Sequence, residues 1–444
     1  MPPNLVFVFA DQLRSQAMGY AGDRNAKTPF LDRLAGESLN FVNAVSNCPI
    51  CTPYRACLLT GQYPLAHGLF MNDLCLRDNG RSLGQELKRG GYETAWIGKW
   101  HLDGHGRSGV IPRERRQGFD YWKTLECTHD YNHSHYYEGD SVKLKTWAGY
   151  DAYAQTDDAV AYFREHNGNV PFALFLSLGT PHDPYDSAPE ELKRLFPAEE
   201  LVLRRNVPPE LEGLARRELC GYYAHLLAID RCVEKIDAAL VACGLAANTI
   251  LVFTSDHGDM LESHGCSPGT SRSPRKQVAY EESVSVPFLL RYPDRFSARH
   301  VTASMATPDI MPMLLGLCGL SVPECVEGVN VLESPERMGV LIASYSPFAD
   351  HRVALGGRPY RGVRTPRYTF VRDLNGPWML FDRETDPLQL KNVVGWREYA
   401  GVQAELDAEL GRMLREQNDL FERPEELLRR YGYAVNDRGE IPYF

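Results

Sequence analysis

One short segment of the chain has residue types and a spacing that favour nucleophilic chemistry. It reads CPICTPYRACLLTGQYP, and its Pro53 suits the first turn of a helix. A helix beginning there places Cys51 at its N-terminus, where free backbone N–H groups favour anions and lower the pKa of a thiol. Arg55 follows four residues later and therefore lies on the same helical face. Singly, each residue also fits a buried thiol or a surface ion pair; together they indicate an anion site.

Acidic and imidazole side chains follow two apolar runs elsewhere in the chain. Asp11 and Gln12 follow NLVFVFA, and Asp256 and His257 follow NTILVFTS. Because ligands of an open α/β sheet collect at the carboxyl ends of its strands, these residues can converge. Two carboxylates, an amide oxygen and an imidazole would make a divalent-cation site dominated by hard ligands. Each Asp alone also fits an ordinary strand-end turn.

The elements that must position these residues are apolar strands alternating with helices. Strand-like runs recur at ETAWIGKW, PFALFLSLG, NTILVFTSD and VPFLLRYP. Helix-like segments lie between them, including TPFLDRLAGESL and a long apolar-periodic segment that stops at Gly244. This alternation predicts an α/β fold with a large, doubly wound, mostly parallel sheet covered by helices on both faces.

The pattern changes after about residue 335. The runs GVLIASY, YRGVRTPRYTFVRD and WMLFDRETDP predict shorter strands, and VQAELDAELGRMLREQ predicts an amphipathic helix. We therefore expect a large α/β domain over 1–335 and a smaller α+β subdomain over 336–444, with a short antiparallel sheet and a helix. The segment 103–150 is weakly periodic and rich in Gly, His and Tyr, which indicates a long excursion at one sheet edge.

Composition limits the classes of partner. The 444 residues include 48 Lys and Arg against 58 Asp and Glu, a formal charge of −10, which argues against nucleic acid. No run reaches the ~18–20 apolar residues that span a membrane. The start, MPPNLVFVFADQLR, lacks the features of a signal peptide, and eleven scattered cysteines favour a reducing compartment. We expect a cytoplasmic location for the sequence as written, or a periplasmic or secreted one if a leader has been removed.

Further motifs extend the pattern around Cys51. In chain order they are PNLVFVFADQ, CTPYRACLLTG, GKWHL, GTPHDPY, TSDHGD, KQVAYEESVSVPFLL and FDRETDPLQLKN. Together they resemble type I sulfatases of the alkaline phosphatase superfamily, in which the Cys or Ser of a C/S-x-Pro-x-Arg signature is oxidised to formylglycine. The resemblance extends across most of the chain. It implies a metal-dependent sulfuric ester hydrolase.

The resemblance also implies roles for individual residues. Cys51 would become formylglycine, and one oxygen of its hydrated form would bind the metal and attack sulfur. The other metal ligands would be Asp11, Gln12, Asp256 and His257. The implied substrate is a sulfate monoester of a carbohydrate or an aryl alcohol, and the implied partner in maturation is a formylglycine-generating enzyme. A homo-oligomer is left open.

Cations and proton carriers complete the implied site. Arg55, Lys99, Lys276 and the metal would stabilise charge that develops on the ester oxygens. His182, with Lys276, would protonate the departing alcohol. His101 would then deprotonate the second hydroxyl so that sulfate leaves.

Two features depart from the commonest family pattern. Tyr54 stands where most signatures have Ser, which bears on whether Cys51 is matured. The metal pairs are Asp-Gln and Asp-His rather than Asp-Asp and Asp-Asn. Calcium is the expected metal, with manganese and zinc as alternatives because of the nitrogen ligand.

Other functions compete with the sulfatase hypothesis. A phosphonate monoester or phosphodiester hydrolase would use the same scaffold, and a catalytically silent sulfate-binding protein would result if Cys51 were not matured. The run THDYNHSHYY, with His129, His133 and His135, is a candidate substrate-pocket wall; a second metal site there is disfavoured by its spacing. Arg272 and Arg275 flank Lys276 and fit either an extended anion pocket or solvated surface charges.

Overall fold

The computed structural model describes residues 2–166, 168–266 and 270–442. Over these residues the strands are β1 (Asn4–Asp11), β2 (Leu39–Phe41), β3 (Ala44–Val45), β4 (Glu93–Lys99), β5 (Tyr121–Leu125), β6 (His135–Glu138), β7 (Lys145–Thr146), β8 (Phe172–Pro181), β9 (Thr249–Ser255), β10 (Phe288–Arg291), β11 (Arg299–Val301), β12 (Met305–Ala306), β13 (Val340–Ser344), β14 (Tyr360–Arg364), β15 (Tyr368–Asp373) and β16 (Gly376–Asp382).

The α-helices occur mostly between these strands, and short 3-10 turns accompany several of them. The helices are α1 (Pro29–Ala35), α2 (Cys51–Thr60), α3 (Pro64–His67), α4 (Leu83–Arg89), α5 (Asp151–Glu165), α6 (Glu190–Lys193), α7 (Glu212–Ala242), α8 (Glu281–Val284), α9 (Ile310–Leu317), α10 (Ala400–Glu416) and α11 (Pro424–Tyr431).

The largest sheet has ten strands in the order β11-β2-β10-β9-β1-β8-β4-β5-β6-β7. Its centre, from β9 through β1, β8 and β4 to β5, is parallel. β10 joins β9 in the antiparallel sense, and β6 and β7 extend the other edge in the same way. The predicted α/β class with a mostly parallel sheet is confirmed. The segment 103–150 supplies β5, β6 and β7 and forms one sheet edge, as expected.

β1 illustrates why the central strands are continuously apolar. Each of its eight residues is buried. Alternate side chains enter two different cores, one on each face of the sheet, because successive residues of a strand point in opposite directions. One core receives Leu5, Phe7 and Phe9, and the other receives Val6, Val8 and Ala10.

The 31-residue helix α7 covers one of these two faces. Its apolar residues recur at helical spacing and pack in the core that contains Val6 and Val8. The helix ends at Ala242, and Gly244 follows with φ +70°, a left-handed conformation that Gly adopts without steric cost. The stop predicted at Gly244 is therefore confirmed. Among the described residues, no helix combines the length and apolar character needed to cross a membrane.

The C-terminal part forms a second, four-stranded antiparallel sheet in the order β13-β14-β15-β16. Helix α10 packs on it through Leu406, Leu410 and Met413, which share a core with Phe370 and Leu380. The predicted antiparallel subdomain is thus present, although a boundary between residues 335 and 336 stays a prediction. The last helix, α11, returns to the large domain, where Leu427 joins its core.

A buried carboxylate joins the two sheets just beyond the loop that carries Lys276. Glu281, at the start of α8, is 4% exposed and accepts hydrogen bonds from the fully buried Arg364 of β14 at 3.2 and 3.0 Å. Arg383, after β16, lies 3.1 Å from the same carboxylate. Burial raises the pKa of Glu281, but Arg364 and Arg383 outweigh burial and lower it from 4.5 to about 2.

We expect Glu281→Gln to lower the free energy of unfolding at pH 7 by about 3–5 kcal/mol, because two buried guanidinium groups lose their counter-charge. Since the folded pKa of Glu281 is depressed, its contribution is complete above pH 4.5 and is lost as pH falls towards 2. The difference between wild type and variant should shrink over that interval. Urea unfolding at a series of pH values measures it.

Glu416→Gln is the matched control, because Glu416 makes an exposed ion pair with Arg412 within α10. Such pairs contribute about 0.3–0.5 kcal/mol. Equal losses for the two variants at pH 7 would contradict the assigned role of Glu281.

Candidate active site

The predicted metal ligands meet at the carboxyl ends of two neighbouring strands. β1 and β9 run in parallel register with Ala10 opposite Ser255, so Asp11 and Asp256 lie side by side at the same sheet edge. Asp256 accepts a hydrogen bond from the backbone N–H of Gln12 at 2.9 Å. The next residues turn sharply, and a side chain at Gly258 would collide with the carbonyl oxygen of Glu282, 2.0 Å from a Cβ there.

Helix α2 delivers residue 51 to this point. Ile50 is extended, with φ −149° and ψ 141°, and the helix begins at Cys51 with Pro53 in its first turn, as predicted. The backbone N–H of Thr52 donates to Asn72 Oδ1 at 3.0 Å, which ties the helix start to the following loop. Cys51 Sγ lies 3.6 Å from Asp11 Oδ1 and 3.2 Å from His257 Nε2.

Tyr54, the departure from the family signature, is not part of the site wall. Its side chain is 1% exposed and belongs to the core beneath α2, with its ring 6.3 Å from that of Phe9. The tyrosine therefore fills core space under the helix.

Arg55 lies beneath the two carboxylates. Its Nη2 is 3.4 Å from Asp11 Oδ2 and 3.5 Å from Asp256 Oδ2, and the side chain is fully buried. Nη1 donates to the carbonyl oxygen of Lys99 at 2.9 Å and to Ser177 Oγ at 2.7 Å. All these partners are protein groups, so Arg55 holds the acids in place. Lys99 itself donates to Asp11 Oδ2 at 2.6 Å.

Lys276 and His182 lie on the opposite side of the thiol. Lys276 Nζ is 3.1 Å from Cys51 Sγ, 3.2 Å from His182 Nε2 and 3.3 Å from His257 Nε2. His182 Nδ1 contacts the carbonyl oxygen of Asp183 at 2.8 Å, which fixes Nε2 as the nitrogen facing Lys276. Burial and Lys276 lower the pKa of His182 to about 3, so the proton of this pair resides on Lys276.

His101 reaches the site from the end of β4. Its Nε2 bonds Asp73 Oδ1 at 2.9 Å, and its carbonyl oxygen accepts from Thr52 Oγ1 at 2.9 Å. Burial lowers the pKa of His101, but Cys127 and Asp73 outweigh burial and raise it to about 10. Both His101 and Gln12 have left-handed backbone, with φ 57° and 70°, a strain that recurs at functional sites.

The electrostatic setting separates Cys51 from the other cysteines of its helix region. Burial and Asp11 raise the pKa of Cys51, but Lys276, Lys99 and His257 outweigh them and hold it well below its ordinary value. Burial raises the pKa of Cys57, and it raises the pKa of Cys48 in spite of the opposing charge of Arg361. Three neighbouring thiols thus differ in acidity because of their surroundings alone.

The donor set fits a divalent cation. Ligating atoms of Asp11, Cys51, Asp256 and His257 lie within 4.8 Å of one another. His257 Nδ1 contacts the carbonyl oxygen of Gly258 at 3.0 Å, so Nε2 is the nitrogen that faces the cluster as an acceptor. Gln12 donates through Nε2 to Asp259 at 2.8 Å, and its buried Oε1 has no partner among the described residues.

The carboxylates themselves also favour a cation. Burial and the charge of Asp11 raise the pKa of Asp256 to about 6. Two neighbouring buried carboxylate charges are costly without a positive charge between them. Oxygen atoms of Asp11, Gln12 and Asp256 and a nitrogen atom of His257 can act, with residue 51, as ligands of such a cation.

Several site residues escaped the sequence analysis. Each of three residues makes a hydrogen bond to part of the site: Asn72 to the start of α2, Asp73 to His101, and Ser177 to Arg55. Nothing in their local sequence indicates this role. Asp259 is different, since it closes the predicted TSDHGD motif and accepts from both Gln12 and the Tyr185 hydroxyl. Its position in that motif could have identified Asp259 as a site residue from the sequence.

The histidine-rich loop splits into two parts. His129 stacks on His182, with ring centroids 4.8 Å apart and planes within 9°, so this residue does form part of the site wall. His133 is exposed and contacts Asp130 at 3.3 Å, and His135 lies in β6. Within the described ranges, no cluster of three ligating side chains includes them.

The two arginines beside Lys276 also differ. Arg275 forms an ion pair with Glu218 and lies 3.6 Å from Glu262, so its charge is neutralised away from Cys51. Arg272 is exposed. The interpretation of Arg275 as an extension of the anion pocket is therefore wrong.

Comparisons with known proteins agree with this geometry. The family model Sulfatase matches residues 3–320, and the model N-sulphoglucosamine sulphohydrolase, C-terminal, matches residues 272–417. An ulvan-active sulfatase of Formosa agariphila is 44% identical, covering 100% of this chain and 87% of its own. An endo-4-O-sulfatase of Bacteroides thetaiotaomicron is 30% identical over 94% of this chain and 92% of its own.

A solved sulfatase structure from Bacteroides fragilis superimposes with a TM-score of 0.84 at 30% identity, covering 95% of this chain and 97% of its own. The family model spans well over half of the chain, and the similarity includes both the large sheet and the C-terminal subdomain. The chain belongs to the sulfatase family and is a sulfuric ester hydrolase.

Proposed function

We propose that this sulfatase removes sulfate from a carbohydrate ester, using formylglycine at position 51 and one divalent cation, with calcium as the first choice. The observation that carries the proposal is the position of Cys51 Sγ. It lies 3.6 Å from Asp11, 3.2 Å from His257 and 3.1 Å from Lys276, so metal ligands and a proton donor surround one buried atom.

The proposed cation site uses Asp11, Gln12, Asp256 and His257 with residue 51. Oxygen predominates in this set, which favours calcium, and one imidazole nitrogen keeps manganese and zinc as alternatives. A bound cation would supply Lewis-acid stabilisation of the charge on the sulfate group. Lys99 and Lys276 would add fixed positive charge beside the sulfate group.

The reaction divides into two steps. One oxygen of hydrated residue 51, whose proton has passed to solvent, attacks sulfur, and the bond between sulfur and the sugar oxygen breaks. The departing alkoxide takes one proton, which Lys276 holds and the adjacent His182 helps to transfer. The second hydroxyl then loses its proton to His101, which must first release the proton that its raised pKa makes it hold at neutral pH. The bond between residue 51 carbon and the sulfate oxygen breaks, and sulfate leaves. The aldehyde that remains is rehydrated by water. This division is covalent catalysis.

Relatives support a carbohydrate substrate. One is named an ulvan-active sulfatase and another an endo-4-O-sulfatase. The site wall adds the imidazole of His129 beside His182, a flat surface on which a ring can pack. Maturation by a formylglycine-generating enzyme belongs to the same proposal.

We expect the peptide that carries residue 51, from protein made in its native host, to have the mass of formylglycine rather than cysteine. Cys51→Ala should lower turnover of sulfated saccharides by ~10³-fold or more, because no nucleophile remains. Peptide mass mapping and sulfate release measure these two outcomes.

Cys57→Ala is the matched control, since Cys57 is buried in the same helix and contacts His67 rather than the site. It should retain turnover. Unmodified Cys51 throughout an active preparation would refute the formylglycine step, and equal activity of wild type and Cys51→Ala would indicate a silent binding protein.

Chelation should abolish activity, and calcium should restore it after the chelator is removed. Because Gln12 is expected to contribute only Oε1, Gln12→Leu should weaken calcium binding while Gln12→Glu retains it. Calorimetric titration with calcium, manganese and zinc gives the order of affinity. Rescue by manganese or zinc alone would contradict the choice of calcium.

The acid role of His182 predicts a dependence on the leaving group. His182→Ala should slow release from a sugar sulfate by ~10²–10⁴-fold, because its alkoxide needs a proton. It should slow release from 4-nitrophenyl sulfate much less, because nitrophenolate leaves unprotonated. His133→Ala, an exposed histidine of the neighbouring loop, is the control. An equal loss on both substrates would argue against proton donation by His182.

The phosphonate monoester alternative is tested with the same preparation. The ratio of kcat/KM for 4-nitrophenyl sulfate to that for a phenylphosphonate ester should exceed one. A ratio below one would assign the site to phosphonate chemistry.

A further inference from the structure

A second cavity opens away from the residues around Cys51. It has a volume of about 530 Å³ and lies beside the turn that follows β1, next to β2, β10 and the loop before α7. Its rim includes Arg24, Val202 and His300, which are exposed. None of its lining residues is one of the predicted nucleophile, metal-ligand, cation or proton-transfer residues.

Arg14 lines this cavity and is the group that sets its chemistry. Its side chain is 2% exposed, and its Nε and Nη1 atoms have no hydrogen-bond partner among the described residues. No described carboxylate lies within ion-pair distance of its guanidinium group. An unpaired buried charge of this kind is strongly unfavourable unless a counter-charge reaches it.

The acidic groups nearby are already engaged. Glu282 accepts from Arg204 at 3.1 Å and from Asn206 at 2.6 Å. Asp23 accepts from the Tyr223 hydroxyl and from the backbone N–H of Asn25. The described residues therefore provide Arg14 with no direct counter-ion.

The rest of the wall is suited to an organic ligand. Phe41, Leu203 and Phe288 give it apolar surface, and the buried Tyr20 hydroxyl and Gln16 Oε1 lack partners among the described residues. A volume of about 530 Å³ lies within the ordinary range for small-molecule sites. Arg24 at the rim adds positive charge to the entrance.

We propose that this cavity binds a small organic anion, whose carboxylate or sulfate group pairs with Arg14 while its ring packs on the apolar wall. Guanidinium groups recognise both kinds of oxyanion through paired N–H donors. The ring belongs to an aromatic acid or to an acidic sugar, and both carry an oxyanion that Arg14 can bind. The site is separate from the sulfatase centre, and its occupancy does not depend on the proposed reaction.

The test uses calorimetric titration of the full-length enzyme with two anionic probes and their neutral counterparts. Benzoate is compared with benzyl alcohol, and glucuronate with glucose. We expect at least one anion to bind, its neutral counterpart to bind at least about tenfold more weakly, and Arg14→Met to abolish the difference. Arg14→Lys should retain part of it, and Arg412→Met, at an exposed ion pair of α10, should retain all of it.

Two further measurements separate ligand binding from a structural role. Without ligand, Arg14→Met should unfold at the same or a higher temperature than wild type, because a buried unpaired charge is removed; a structural arginine would give a lower temperature. Crystals of wild type soaked with the bound probe should show it at the guanidinium group, which decides the matter even if the variant fails to fold.

Binding of benzoate or of glucuronate identifies the aromatic or the sugar acid as the source. The proposal is overturned if neither anion binds, if the neutral counterpart binds as well, if Arg14→Met binds the anion as wild type does, or if the soaked probe lies elsewhere.

Discussion

The repulsion between two buried carboxylates is the constraint on which the active site depends. Asp11 and Asp256 end adjacent strands in register, and the chain cannot separate them without breaking the sheet. Arg55 lies below both, and Lys99 pairs with one. Even so, the pKa of Asp256 is raised to about 6 by burial and by the neighbouring charge. The geometry therefore calls for one more positive charge, which the proposed cation would supply beside residue 51.

Three parts of the fold position the residues around Cys51. The parallel register of β1 and β9 sets the acids, α2 sets residue 51 and Arg55, and the loop before α8 sets Lys276. The last of these is anchored by Glu281, whose carboxylate is bound by Arg364 of the second sheet and by Arg383. Because the C-terminal sheet fixes this anchor, it contributes to the site although none of its own side chains surrounds Cys51.

The turn after β1 brings two different unsatisfied groups into the interior. Among the described residues, the buried amide oxygen of Gln12 has no partner, and two residues later the buried Nε and Nη1 atoms of Arg14 have none either. Oxygen ligands suit a cation and a guanidinium suits an anion. A single short segment thus prepares one site for a metal and, on its other side, one for an acid.

The sequence by itself determined the class of fold and brought forward part of the candidate site. Continuous apolar runs predicted strands that are buried on both faces, and β1 is such a strand. The prediction is possible because a strand buried on both faces needs an apolar residue at every position. Cys51, Arg55, Asp11 and Asp256 were found because strand ends and helix starts are local features with local signals.

Only the tertiary structure decided what each charge contacts. Arg55 and Arg275 look alike in the sequence, yet one lies under the carboxylates while the other pairs with Glu218. Asn72, Asp73 and Arg14 carry no local signal, because their roles arise from residues distant along the chain. Electrostatic and hydrogen-bonding energies depend on distance and burial, and these exist only once the chain has folded.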